Sequence, residues 1–193
     1  MAASAAMAVP ATATSTRARV GYTTADVSFM QGMMGHHAQA LVMTALVPSH
    51  SRRDDIRLVA QRIELSQRDE IAMMTRWLEL RHESAPPMGG QHDHAAMAGM
   101  SMGASSDAPE ARGMLMPGML TAAELEQLAA ATGPAFDQLF LTYMIRHHEG
   151  AIVMVTRLFA TNGAAQDPEI YRFAADVDVD QRSEIARMRT LMR

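Results

Sequence analysis

The sequence predicts an all-α protein, an antiparallel four-helix bundle. Apolar residues recur at alternating steps of four and three along four stretches of roughly 20 to 28 residues, the period of one buried helical face. Prolines and glycines fall between those stretches. The chain also repeats itself, and that repeat organises everything else. Residues 26–43 return at 137–154, with Asp26/Asp137, Phe29/Phe140, Met33/Met144, His36/His147, His37/His148, Ala40/Ala151 and Met43/Met154 identical in register. A second pair of segments matches through Ile56/Ile170, Ala60/Ala174, Gln67/Gln181, Arg68/Arg182, Glu70/Glu184, Ile71/Ile185, Ala72/Ala186 and Met74/Met188. The chain therefore divides into two copies of one helical hairpin.

Taken in order, residues 1–22 are rich in Ala, Ser and Thr and carry no apolar period, which predicts a disordered N-terminal tail. Arg17 and Arg19 follow the apolar part instead of preceding it, so the order of a secretory signal is not met. The first hairpin covers 23–82. Its first helix presents Phe29, Met33, His36, Ala40, Met43 and Val47, and Pro48 is expected to end it. Ser51 with Asp54 reads as the capping box of the next helix, whose seam is Ile56, Ala60, Ile63, Gln67, Glu70, Met74 and Trp77. Residues 83–119, with Pro86-Pro87 and Gly89-Gly90, form a largely irregular Met/His-rich crossover. Thr121 and Glu124 cap a short helix before Gly133-Pro134 opens the second hairpin, so that 120–193 completes one bundle with 23–82. Its helices carry Phe140, Met144, His147, Ala151, Met154 and Leu158, then Ile170, Ala174, Val177, Gln181, Glu184, Met188 and Leu191, separated by Asn162-Gly163 and Pro168.

Composition narrows the functional classes. The 193 residues carry a net charge of −4 with every cation an Arg, which gives no basic face for nucleic acid. No run of 18 apolar residues spans a membrane. The absence of cysteine removes disulfides, thiolate metal sites and a Cys nucleophile. No phosphate loop, dinucleotide fingerprint or nucleophile triad is present. The outliers are 19 methionines and eight histidines.

Several of these polar residues stand on the apolar seam. His36 and His147 occupy core positions, His37 and His148 follow them, and Gln67, Glu70, Gln181 and Glu184 lie at matching depth on the other helices. Buried without partners, each such group costs about 1–3 kcal/mol. Either they form a hydrogen-bonded layer that fixes register, or a metal sits among imidazoles and thioethers. Met33, His36 and Met43 share one helical face, as do Met144, His147 and Met154. With His37 and His148 these are the candidate ligands, and Gln67, Glu70, Gln181 and Glu184 the groups behind them. The crossover adds a candidate secondary set, His92, His94, Met97, Met100, Met102, Met114, Met116 and Met119, where methionine has no core to fill. The alternative there is a linker of biased composition. Thioether with imidazole and no thiolate selects Cu(I) and, by softness, Ag(I).

The stretches Gly118-Met119-Leu120-Thr121, Gly133-Pro134-Ala135-Phe136-Asp137 and 140–154 resemble a widespread bacterial domain-of-unknown-function family, and 29–40 and Gln181-x-x-Glu184-Ile185-x-x-Met188 match it too. The resemblance covers about 24–81 and 118–193. It implies a ferritin-like helical bundle and a copper-binding role in homeostasis or tolerance, because the family includes the periplasmic copper-binding protein CopM. It also implies a periplasmic or secreted location. Gly35 departs from the second copy, where Arg146 stands, and costs about 1 kcal/mol of helix propensity. The expectation is an extracytoplasmic protein that sequesters or buffers Cu(I), with a metal ion as partner, no protein partner identified and no enzymatic activity. Two rivals stand beside it. A ferritin-like di-metal oxidase would place Glu three residues before each His, where this chain has Met33 and Met144. A metal-free interaction module would use its methionines as an adaptable surface.

Overall fold

The computed structural model describes residues 21–86 and 115–192. The candidates His92, His94, Met97, Met100, Met102 and Met114 lie outside the described residues, as do 1–20 of the expected tail. Among the described residues five helices follow in chain order: α1 (Thr24–His50), α2 (Asp54–Leu80), α3 (Ala122–Ala130), α4 (Gly133–Ala160) and α5 (Pro168–Leu191). The fold is all-helical among the described residues, and no helix there is long and apolar enough to cross a membrane.

Two capping boxes start helices, Thr23 with Asp26 at α1 and Thr121 with Glu124 at α3. Asp26 also accepts the Ala165 amide at 2.7 Å, tying the start of α1 to the turn between α4 and α5. Two expectations about boundaries fail. Pro48 lies inside α1, which runs on to His50. Its ring removes one bond, to the Thr44 carbonyl, and only Ser49 and His50 follow it in the helix. Ser51 does not cap α2 through Asp54. It closes α1 through its own amide to Val47, while Arg53 is the N-cap of α2 and makes no side-chain cap bond. Tyr22, assigned to the tail, instead packs edge-on to Trp77 with ring centroids 5.1 Å apart. Trp77 also carries Arg81, its guanidinium 4.3 Å above the ring, and Arg81 reaches Asp167 at 2.8 Å to join the end of α2 to the start of α5.

The long helices form a ring in which α1 packs on α2 and α4, and α5 on α4 and α2. Their buried apolar side chains fall into two clusters, one toward each end of the bundle. Val27 to Met34 of α1, Met74 to Leu78 of α2, Ala151 to Leu158 of α4 and Ile170 to Val177 of α5 belong to the first. Ala40 to Val47, Ile56 to Ile63, Phe136 to Ile145, and Ile185 with Met188 belong to the second. Each helix passes from one cluster to the other in the sense opposite to its neighbours, so the bundle is antiparallel throughout. Between the clusters every long helix carries polar residues, at 36–39, 67–70, 147–148 and 181–184. The bundle therefore has a polar midplane with an apolar core on either side.

The end of the crossover is part of this core. Met116 and Met119 are buried among the first cluster, whereas Leu120, Leu125 and Leu128 belong to the second. Residues 116–120 thus cross the midplane over the seam between α1 and α4, and α3 continues against the same two helices. The expectation that Met116 and Met119 stand in a stretch without a core does not hold, because the seam supplies one. Gln39 anchors this strap with both ends of its amide, donating to the Leu120 carbonyl at 3.0 Å and accepting from the Leu120 amide at 2.7 Å. Gly118, at φ +76, lies against Gly150 of α4, where a side chain on either glycine would collide with the other segment.

Gly150→Ala is therefore expected to lift the strap off the seam, since its Cβ would fall on the Pro117 carbonyl. Overpacking of this kind costs about 1–3 kcal/mol, or about 2–4 °C per kcal/mol in a chain this long. A thermal melt checks the loss, and an unchanged melting temperature would contradict the seating.

Candidate metal centre

His36 of α1 and His147 of α4 meet in the midplane because their helices cross antiparallel at that depth. Their ring centroids are 3.8 Å apart with planes inclined by 36°, and neither ring is more than 1% exposed. His37 lies 6.4 Å from His36, and His148 lies 6.3 Å from His147, centroid to centroid. The outer two rings are held from the remaining helices. His37 Nε2 donates to the Glu70 carboxylate of α2 in a very close contact, and His148 Nε2 donates to Glu184 of α5 at 2.6 Å. Ser66 supports Glu70 from one turn earlier, its hydroxyl donating at 3.1 Å. An unbroken series of side chains, Glu70–His37–His36–His147–His148–Glu184, thus runs through all four long helices.

The hydrogen bonds fix which nitrogens keep a lone pair. His36 Nε2 donates to the Pro117 carbonyl of the strap at 3.0 Å, which leaves its Nδ1 as the acceptor atom. With the carboxylates ionised, the same holds for Nδ1 of His37 and His148. All three Nδ1 atoms are buried without a hydrogen-bond partner, and both nitrogens of His147 are too. The Oε1 atoms of Gln67 and Gln181, each 1% exposed at this level, are likewise unpartnered. Buried polar atoms are seldom left so, and their concentration in one layer marks it as a place for something that accepts lone pairs.

Electrostatics favour neutral imidazoles. Burial, and then the neighbouring His37, lower the His36 pKa from its ordinary 6.5 to about 3, although the Pro117 carbonyl opposes the shift. His147 is driven well below the ordinary value by burial first and by His36 and His148 after it. On the far side of the layer, burial raises the Asp180 carboxyl, and the nearby Glu70 and Glu184 raise it further. Asp180, Ser66 and Glu184 line a cleft of about 260 Å³ between α2 and α5.

All eight primary candidates are buried: Met33, His36, His37, Met43, Met144, His147, His148 and Met154. The four histidines come together directly. The methionines divide, Met33 and Met154 into the first apolar cluster and Met43 and Met144 into the second. Each apolar cluster therefore carries one candidate methionine from each central helix. Glu70 and Glu184 stand behind His37 and His148, and Gln67 and Gln181 are buried in the same layer. Among the described residues, no group of three or more His, Asp or Glu side chains converges as a metal cage. The donor set is imidazole with thioether, which suits a soft ion better than a hard one. The sequence reading missed Gln39 and the Pro117 carbonyl. Gln39 lies off the stripe of steps by three and four, and a carbonyl carries no sequence signal at all.

The profile of DUF305, a domain of unknown function, matches residues 26–192. None of the curated proteins matches significantly. Among solved structures, a DUF305 fragment from Deinococcus radiodurans is 30% identical, covering 89% of this chain and 97% of that one at a TM-score of 0.67. A DUF305 protein of Streptomyces coelicolor designated as secreted is 27% identical, over 86% of this chain and 91% of that one, with a TM-score of 0.67. CopM in its Cu(II)-bound form is 25% identical over 86% and 95% of the two chains at a TM-score of 0.60. Its Cu(I)-bound form, at 23% identity and a TM-score of 0.60 over 86% and 94%, shares the fold.

The neutral imidazoles set a pH dependence. Below pH 6.5 the unfolded chain protonates its histidines, whereas His36 in the folded protein stays neutral down to about 3. The unfolded state then binds more protons, so this histidine makes stability fall as pH drops through that window and contributes nothing above it. The stability difference between wild type and His36→Gln is expected to be constant above pH 6.5 and to move in favour of the variant from 6 to 4. Urea titrations at each pH check this, and a pH-independent difference would contradict it.

Proposed function

The chain belongs to the DUF305 family, and we propose that it is an extracytoplasmic copper-binding protein that sequesters or buffers Cu(I), and by the same softness Ag(I), without catalysing a reaction. The close His36–His147 pair, buried with ring nitrogens that have no hydrogen-bond partner, carries this reading. The copper-bound forms of CopM and the secreted designation of the Streptomyces relative support the ion and the location.

Each residue has a task in this reading. His36, His37, His147 and His148 offer lone pairs, and Met33, Met43, Met144 and Met154 offer thioethers from above and below. Glu70 and Glu184 hold the outer imidazoles by Nε2 and so leave Nδ1 with the lone pair, as carboxylates behind metal-bound histidines do. They also supply negative charge against a buried monovalent cation. Because His36 does not protonate until about pH 3, protons compete poorly for that ligand. The apolar clusters on both sides exclude the water that Cu(I) chemistry must avoid. Against the oxidase reading, Met33 and Met144 hold the positions that such bundles give to Glu.

Competition titration against a Cu(I) chelator tests the reading. His36→Leu combined with His147→Leu is expected to weaken binding more than either change alone, and a double variant that keeps wild-type affinity would refute the site. Glu70→Gln or Glu184→Gln is expected to cost about 10–100-fold in affinity. Removal of 88–114 is expected to lower the number of ions bound while the bundle still melts cooperatively.

A further inference from the structure

The two sides of the midplane are not alike. The second cluster contains Met43, Met144 and Met188. The first holds Met30, Met33 and Met34 of α1, Met74 of α2, Met154 of α4, and Met116 and Met119 from the strap. Packing alone does not call for this. Burying a methionine gives up more rotamer freedom than burying a leucine. A core made of methionine is thus the less favourable way to fill the same volume. What methionine adds is a polarizable sulfur on a chain that can re-aim.

The strap that carries two of these methionines is tied to the layer by its backbone. Pro117, between Met116 and Gly118, places its carbonyl on His36 Nε2. Gln39 fixes Leu120 by both backbone groups, and the Gly118–Gly150 contact lets the strap lie deep in the seam. Met116 and Met119 are consequently buried at 6% and 7% exposure on either side of Pro117, whose carbonyl meets the same His36 whose Nδ1 is buried without a partner.

We infer that Met116 and Met119 are ligands of the buried soft-ion site, which is completed on the strap side of the midplane by thioethers of the crossover. The inference rests on the soft-ion reading above and narrows it to one side of the layer. The strap then serves as both cover and ligand donor, and the ordered site includes the end of the Met/His-rich segment.

The test uses Ag(I), which undergoes no redox change, with the full chain carrying ¹³C-methyl methionine. The Met116 and Met119 methyl signals are expected to shift on Ag(I) uptake. Met116→Leu with Met119→Leu, close to conserved in volume, is expected to weaken Ag(I) by about tenfold or more, the scale on which even partners of ligands act. Met188→Leu, in the opposite cluster, is expected to leave affinity as it is. A folded double variant with wild-type affinity overturns the inference. Should that variant fail to fold, unmoved Met116 and Met119 signals in the saturated wild type overturn it instead. A wild-type chain that takes up no Ag(I) or Cu(I) overturns the proposed function along with it, whereas binding without a strap effect removes this inference alone.

Discussion

Four imidazoles at the centre of a helical bundle are the constraint that the remaining structure answers. Removing them from water is unfavourable unless their polar atoms find partners. Each helix contributes to the answer at one depth: Glu70 from α2, Glu184 from α5, and the two histidine pairs from α1 and α4. The midplane cannot slip along any one helix without stranding a carboxylate or a ring in an apolar cluster. The polar series therefore sets the register of the bundle, while the clusters on both sides supply most of the cohesion. Even so, several nitrogens remain without protein partners. A layer meant only to fix register would be expected to satisfy itself.

Much of this was legible in the residues because helices obey a simple period. Phe29, Met33, His36, Ala40, Met43 and Val47 are all buried, as the steps of four and three require. The same pattern placed His36, His147, Gln67 and Gln181 inside, and equal rise along antiparallel arms put Glu70 within reach of the histidines. The absence of Glu three residues before each His was equally visible. The turn chemistry was legible where side chain and backbone reciprocate, as with Thr121 and Glu124.

The misreadings have one physical source. Pro48, Ser51 and Tyr22 were judged from neighbours in sequence, but their structure is settled by what lies across the bundle or by a turn that has already formed. The strap was invisible for the same reason. Its burial depends on the pairing of Gly118 with Gly150 and on Gln39 reaching a backbone 81 residues away, and none of these leaves a periodic signal. α1 conceals its environment further, since it is enclosed by α2, α4 and the strap, so residues outside the seam such as Met30, Met34 and Gln39 are buried too.

The double anchorage of Leu120 by Gln39 has a consequence for the order in which the molecule assembles. Each hairpin can close on contacts between neighbouring segments, whereas the groove that receives residues 116–120 exists only once α1 and α4 lie side by side. Local pairings form quickly and distant ones slowly, so the crossover docks after the hairpins have met. The seam between α1 and α4, and with it the buried imidazoles, is thus covered only in the final stage of folding.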